Sequence, residues 1–245
     1  MSLPNDAPLQ KLQFYVTTPY ACGYLPKKLA QSLIAAPQHL VNAEVYNGLI
    51  QQGFRRSGKF AYRPHCELCN ACVPVRVILN KFAPTRSQKR ARKQHDDLTV
   101  RILPLGFEEH HFALYAQYQA QRHATEDNLN EKADTDEAEQ YRQFLCKSNV
   151  ESLMIEFSNT NAQVKIVSVV DIVKDGISAV YTFYDANDTK ASFGTYSIIW
   201  LTEWTKSLGL PFLYLGYWIK DSQKMAYKQK FQPQEKLIDG EWTSA

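Results

Sequence analysis

From Ser152 onward the side-chain pattern admits few folds. Three extended candidates follow one another at Ser152–Phe157, Val164–Val173 and Ile177–Tyr184, each rich in β-branched and aromatic residues. Helical spacing then covers Thr195–Leu208, a strand follows at Phe212–Tyr217, and a short helix over Ser222–Lys230 closes the series. A meander followed by β-α-β-α predicts an α+β fold built on a mixed sheet.

The first half reads differently. Apolar residues recur at helical spacing over Leu25–Ala36 and Asn42–Gln52, with Gly53 as a C-terminal stop. Phe60–Tyr62 and Val73–Leu79 read as strands, Arg76 interrupting the apolar run of the second. Thr85-Arg86-Ser87-Gln88 fits a capping box that opens a helix to about His95. A strand-like Leu98–Leu103 and helical patterns over Glu108–Arg122 and Asp136–Lys147 complete this part. Between Glu126 and Glu139 seven acidic residues accompany one lysine, the pattern of a solvated loop or helix face. The expected division is a basic, cysteine-bearing domain over 1–105 and a mixed-sheet domain over 106–245.

Charge is distributed unevenly. The net value is +3, but between Arg55 and Lys93 eleven Lys/Arg face one acidic residue, Glu67, and the rest of the chain is acidic. Such asymmetry points to a polyanion partner. Arg86, Lys89, Arg90 and Lys93 sit at i, i+3, i+4 and i+7, which puts four cations on one helical stripe. They are candidate phosphate contacts, a solvated helix face being the plain alternative. No run approaches the roughly 18 apolar residues of a membrane span. The first ten residues lack the charged start and apolar stretch of a signal peptide. A cytoplasmic protein without a membrane partner is expected.

Cys66, Cys69 and Cys72 are spaced Cys-x-x-Cys-x-x-Cys, with Cys22 upstream. In a chain without a secretion signal such spacing suggests metal rather than disulfides. Four thiolates suit Zn²⁺ or an iron–sulfur cluster in a structural or regulatory role. The alternative is reduced thiols in a tight loop. Cys146 sits on an apolar helix face and reads as core.

Several of these segments carry a resemblance. Ala21-Cys22-Gly23-Tyr24-Leu25-Pro26, Gly53-Phe54-Arg55-Arg56-Ser57-Gly58, Tyr62-Arg63-Pro64 and Ala71-Cys72-Val73-Pro74-Val75-Arg76 resemble the N-terminal domain of arginyl-tRNA–protein transferases. Ser178 to Asp185, Gly194-Thr195-Tyr196 and Tyr214-Leu215-Gly216-Tyr217-Trp218-Ile219 through Lys228 resemble their C-terminal half. The match is nearer to the bacterial, leucine-donating branch. It implies transfer of leucine from leucyl-tRNA to proteins with an N-terminal Asp or Glu, which marks them for degradation. It also makes Arg86, Lys89, Arg90 and Lys93 candidate tRNA contacts. Eukaryotic relatives carry Cys-Gly-Tyr-Cys where this chain has Cys22-Gly23-Tyr24-Leu25, so one thiolate of that motif is missing. The order of elements after Ser152 is also that of GNAT-type N-acyltransferases. A coenzyme A enzyme of that type needs a Gly-rich turn for the pyrophosphate; Lys190 to Tyr196 holds one glycine.

The implied reaction needs no cofactor, because an aminoacyl ester is already activated. The acceptor's α-amine has a pKa of about 7.7–8.0, so positioning, a modest base and an oxyanion donor suffice. Asp185, at a strand end, is the candidate to orient or deprotonate the amine, a capping or turn role being the plain alternative; Tyr227 is a second candidate catalytic group. An Asp or Glu acceptor calls for a cation shaped for a carboxylate. Arg55, Arg56, Arg63 and Arg76 are the candidates, joined by Tyr24 and Lys224 as further substrate contacts. Two other readings compete: an acetyl-CoA-dependent N-acetyltransferase and a non-enzymatic, metal-stabilised RNA-binding module.

Overall fold

The computed structural model describes residues 11–122 and 136–244, so most of the acidic stretch between Glu126 and Glu139 lies outside the described residues. The N-terminal part is extended: β1 (Gln13–Val16), β2 (Tyr20–Ala21), β3 (Leu29–Ala30) and β4 (Ser32–Ala36). No helix forms over Leu25–Ala36. Pairing with distant strands overrides the local spacing there, Ile34 standing between Tyr15 and Tyr62 in register.

Helix α1 (Ala43–Gln51) begins at Asn42, whose Oδ1 accepts from the Val45 N–H at 3.0 Å. Its face of Val45, Tyr46, Leu49 and Ile50 is buried. Strands β5 (Arg55–Ser57) and β6 (Phe60–Pro64) follow, giving a four-stranded antiparallel sheet in the order β1-β4-β6-β5.

The remaining elements build the main sheet and its cover. They are β7 (Val73–Ile78), α2 (Arg86–Gln94), β8 (Thr99–Pro104), α3 (Glu109–Arg122) and α4 (Glu137–Tyr141), which continues as a π-helical turn to Cys146. Then come β9 (Ser152–Ser158), β10 (Val164–Val173), β11 (Gly176–Tyr184), α5 (Phe193–Ser207), β12 (Phe212–Trp218), α6 (Gln223–Ala226) with a 3₁₀ turn over Tyr227–Lys230, β13 (Gln234–Ile238) and β14 (Glu241–Ser244). The order is β14-β13-β7-β12-β11-β10-β9-β8. All pairs are antiparallel except β11–β12, which α5 connects as a crossover. The expected mixed sheet is present. Strands β7 and β8 precede residue 105 yet lie in this sheet, so the two halves of the chain share it.

Helices cover both faces. Tyr196, Ile199 and Leu201 of α5 pack on Val77, Ile177 and Leu213, while Leu114, Tyr141 and Leu145 pack on Val167, Val169 and Phe183 of the other face. Each such side chain, fully buried, contributes on the order of 1.5–3 kcal/mol. The capping box at α2 forms as read, and the buried Gln88 also donates to the Lys230 carbonyl at 3.0 Å, tying α2 to the C-terminal 3₁₀ turn.

One opening in this sheet matters. Strands β11 and β12 pair only at Gly176–Phe212, Ile177–Leu213 and Ser178–Tyr214. Beyond that, β11 stays with β10 and β12 stays with β7, with a bulge at Leu215. The parallel pair is split from Ala179 and Leu215 onward.

Candidate active site

The split is filled from the small sheet. Arg55 of β5 is 8% exposed, and its Nη2 donates to the carbonyls of Ala179 and, at 3.4 Å, Val180. These carbonyls lie on the length of β11 that β12 leaves unpaired. On the other side is Gly216, with φ of +73°, where a Cβ would stand 2.6 Å from the Arg55 Nη1. Only glycine tolerates both the conformation and the approach. The buried Nη1 has no hydrogen-bond partner among the described residues.

Lys228 reaches the same place from the 3₁₀ turn. It is 7% exposed, and its Nζ donates to the Tyr217 carbonyl at 2.8 Å and to Met225 Sδ at 3.4 Å. Burial, and secondly the Arg55 charge, bring its pKa down to about 7. Among the described residues neither cation has a carboxylate partner. Tyr24, Tyr46, Tyr62, Tyr217 and Tyr227 all feel the Arg55 charge. Burial still pushes the phenols of Tyr46, Tyr62 and Tyr217 up, so they remain protonated donors at neutral pH.

The sequence-predicted arginines separate here. Arg56, the next residue along β5, faces the opposite way and forms a buried ion pair with Asp171 at 2.7 Å. Arg76, expected at an acceptor carboxylate, is turned to the protein's own. It bonds Glu235 at 2.7 Å and the Tyr214 hydroxyl at 2.9 Å, sandwiched by Phe212 and Trp242. Arg63 donates to the Gln52 carbonyl at 3.0 Å and borders a cleft of about 380 Å³ shared with His65, Cys72, Pro74 and Tyr217.

Asp185, the expected base, is committed. Burial works against its ionisation, but Lys165 at 2.9 Å and the Asn187 N–H at 3.2 Å hold its carboxyl below the usual range. It caps a turn, and its basicity is low. Tyr227 is 40% exposed beside Lys228, and Lys224 lies one turn earlier on α6. Arg86, Lys89, Arg90 and Lys93 are all exposed along α2, with Gln88 and Ala91 turned inward. Sequence reading named Lys228 only within the C-terminal segment that carries the resemblance. The signal for more was its place just after the Tyr217-Trp218 strand end.

The family pattern described as arginine-tRNA-protein transferase, N terminus, matches residues 20–90, and the corresponding C-terminus pattern matches residues 110–238. The chain belongs to the arginine-tRNA-protein transferase family. An aspartate/glutamate leucyltransferase of Methylobacillus flagellatus is 63% identical over 99% of this chain and 95% of its own length. Another, from Polynucleobacter asymbioticus, is 52% identical over 99% of this chain and 98% of its own length. A third, from Nitrosospira multiformis, is 50% identical over 99% and 94%. The protein is therefore an aminoacyl-tRNA–protein transferase. Among solved structures, L-PGS from Bacillus licheniformis matches over 60% of this chain and 45% of its own, at 13% identity with a TM-score of 0.43. Within the family's two matched regions, Arg55 comes from the first and Gly216 and Lys228 from the second.

The thiols whose spacing suggests a metal are gathered near one another, Cys22, Cys66 and Cys69 all acting on Cys72. Burial, with the neighbouring Cys66, Cys22 and Cys69, pushes the Cys72 thiol up to about 12. No three of these sulfurs lie within 4.8 Å of one another. A single tetrahedral ion needs closer convergence, around bonds of about 2.3 Å; an iron–sulfur cluster holds its thiolates further apart, and that spacing does not bear on it. The His/Cys/Asp/Glu group among the described residues that does meet that spacing is His110, His111 and Glu156, and there Arg101 already neutralises the carboxylate.

Proposed function

We propose that this transferase moves leucine from leucyl-tRNA to an N-terminal Asp or Glu of acceptor proteins, with Arg55 receiving the acceptor's side-chain carboxylate. The observation that carries this is the unpartnered Nη1 of a buried arginine in a site with no carboxylate of its own. A buried cation left alone is destabilising by several kcal/mol, and an acidic side chain arriving there offsets that cost. Arginine's planar fork suits the task, since Nη2 is fixed on β11 while the buried Nη1 beside Gly216 is left without an acceptor.

The split between β11 and β12 is also how GNAT-type N-acyltransferases seat an acyl group opposite an amine, an argument by analogy of fold. The exposed α2 cations supply phosphate contacts for the tRNA. An activated ester needs no cofactor. A leucyl-tRNA substrate favours a cytoplasmic location; no described helix is long and apolar enough to cross a membrane.

The test is to incubate the protein with leucyl-tRNA or acetyl-CoA and with peptides beginning Asp, Glu, Arg or Ala, then to read product mass. Leucylated Asp and Glu peptides, with the others unchanged, are expected. Acetylated peptides, or Asp and Glu peptides left unmodified by leucyl-tRNA, would refute the proposal.

A further inference from the structure

We infer that Lys228 takes the proton released when the acceptor's α-ammonium becomes the attacking amine, an assignment that rests on the leucyl-transfer reading above. The nucleophile arrives mostly protonated, at a pKa of about 7.7–8.0. Asp185 is occupied by Lys165 and a backbone N–H, and the tyrosines of the site hold their protons. Lys228 is differently placed. Its two hydrogen bonds, to the Tyr217 carbonyl and Met225 Sδ, account for the two N–H bonds of a neutral amine and leave the lone pair free.

Its position fits the substrate too. Arg55 is packed against Gly216, and Lys228 is anchored on Tyr217, the next residue of β12. An N-terminal Asp or Glu carries its carboxylate and its amine a few bonds apart, so one acceptor residue meets both groups together. The groups facing Lys228 are Arg55 of β5, whose charge disfavours an ammonium, and Cys72 before β7, whose thiol is kept protonated by burial. From β12 it meets only a carbonyl, and from α6 only a thioether. Nothing among the described residues pins it in the charged form.

The protons balance as follows. The α-ammonium gives one proton to the Lys228 amine. The freed nitrogen attacks the leucyl carbonyl, forming C–N, and the C–O bond to the ribose breaks. A second proton of that nitrogen goes to the departing ribose oxygen, and the third remains as the amide N–H. Lys228 then returns its proton to water.

The experiment measures single-turnover leucyl transfer from pre-bound leucyl-tRNA to a saturating Asp-starting peptide as pH is raised, for the wild type, Lys228→Met and Lys228→Arg. The wild-type rate should climb through an inflection near pH 7. Both variants should bind leucyl-tRNA normally but transfer about 10-fold more slowly at pH 7, where only about a tenth of the peptide amine is neutral unaided, and their rate should climb only at that amine's own pKa of about 7.7–8.0, since neither a thioether nor a guanidinium takes the proton. A wild-type profile without the inflection overturns the assignment even if both variants fail to fold. So does either variant transferring within about threefold of the wild type at pH 7, where the unaided amine is mostly protonated. A wild type that transfers no leucine is a distinct result, which overturns the donor assignment itself.

Discussion

At the scale of single residues, function depends on what Arg55 does not touch. Its neighbour Arg56 spends its guanidinium on Asp171, Gly58 and Lys147, whereas Arg55 keeps Nη1 unpartnered in a buried position. Gly216 makes this arrangement sterically possible. Replacing it by alanine places a Cβ 2.6 Å from Nη1 at a φ of +73°. Gly216→Ala is therefore expected to destabilise the fold by about 1–3 kcal/mol, read as a lower urea midpoint. It should also raise KM for Asp-starting peptides through the displaced arginine. An unchanged midpoint together with an unchanged KM would show that the strand accommodates a side chain there.

At the scale of elements, α2 presents its cations to solvent while Gln88 and Ala91 face inward. Its role predicts that Arg86→Ala combined with Lys89→Ala weakens leucyl-tRNA binding and leaves the preference among acceptor peptides unchanged. Because each phosphate contact adds about −0.7 to −0.9 to the slope of log affinity against log salt, that slope should shrink by about 1.5. A binding titration at several salt concentrations checks it, and an unchanged slope would move the tRNA elsewhere. This helix was legible because a capping box and a charge stripe are local properties. The strands after Ser152 were legible for the same reason, through their dense β-branched runs. The first four strands were not, since β4 acquires its conformation from Tyr15 and Tyr62 on flanking strands. Likewise Arg55, Arg56 and Arg76 look alike in sequence. The alternation of β5 and the position of β7 deep in the large sheet decide which one is free.

At the scale of the whole molecule, the buried Arg56–Asp171 ion pair joins the small sheet to the large one, and a second set of charges ties the large sheet to α3. Glu156 of β9 binds Arg101 of β8 through both oxygens and accepts from His111 and His110 of α3 and from Ser158. Burial alone would raise its pKa, but these hydrogen bonds outweigh it and bring the carboxyl from 4.5 down to about 2. A carboxyl lowered in the folded state contributes stability that is present above its unfolded pKa and lost as pH falls toward the folded value. Thermal unfolding should thus lose stability from about pH 4.5 downward to about 2. Glu156→Gln should be less stable at neutral pH and show a flatter profile in that range; a profile matching the wild type would remove Glu156 from the account.

The central claim is that the small sheet reaches through the split in the large one to read an acidic acceptor. The most direct measurement compares kcat/KM for leucyl transfer to otherwise identical peptides beginning Asp and Asn, in the wild type and in Arg55→Ala. The wild type should favour Asp by at least about 10-fold, and the variant should lose most of that preference, as truncating one partner of a buried charge pair costs about 2–5 kcal/mol. An Arg55→Ala enzyme that still prefers Asp over Asn as strongly as the wild type would contradict the claim.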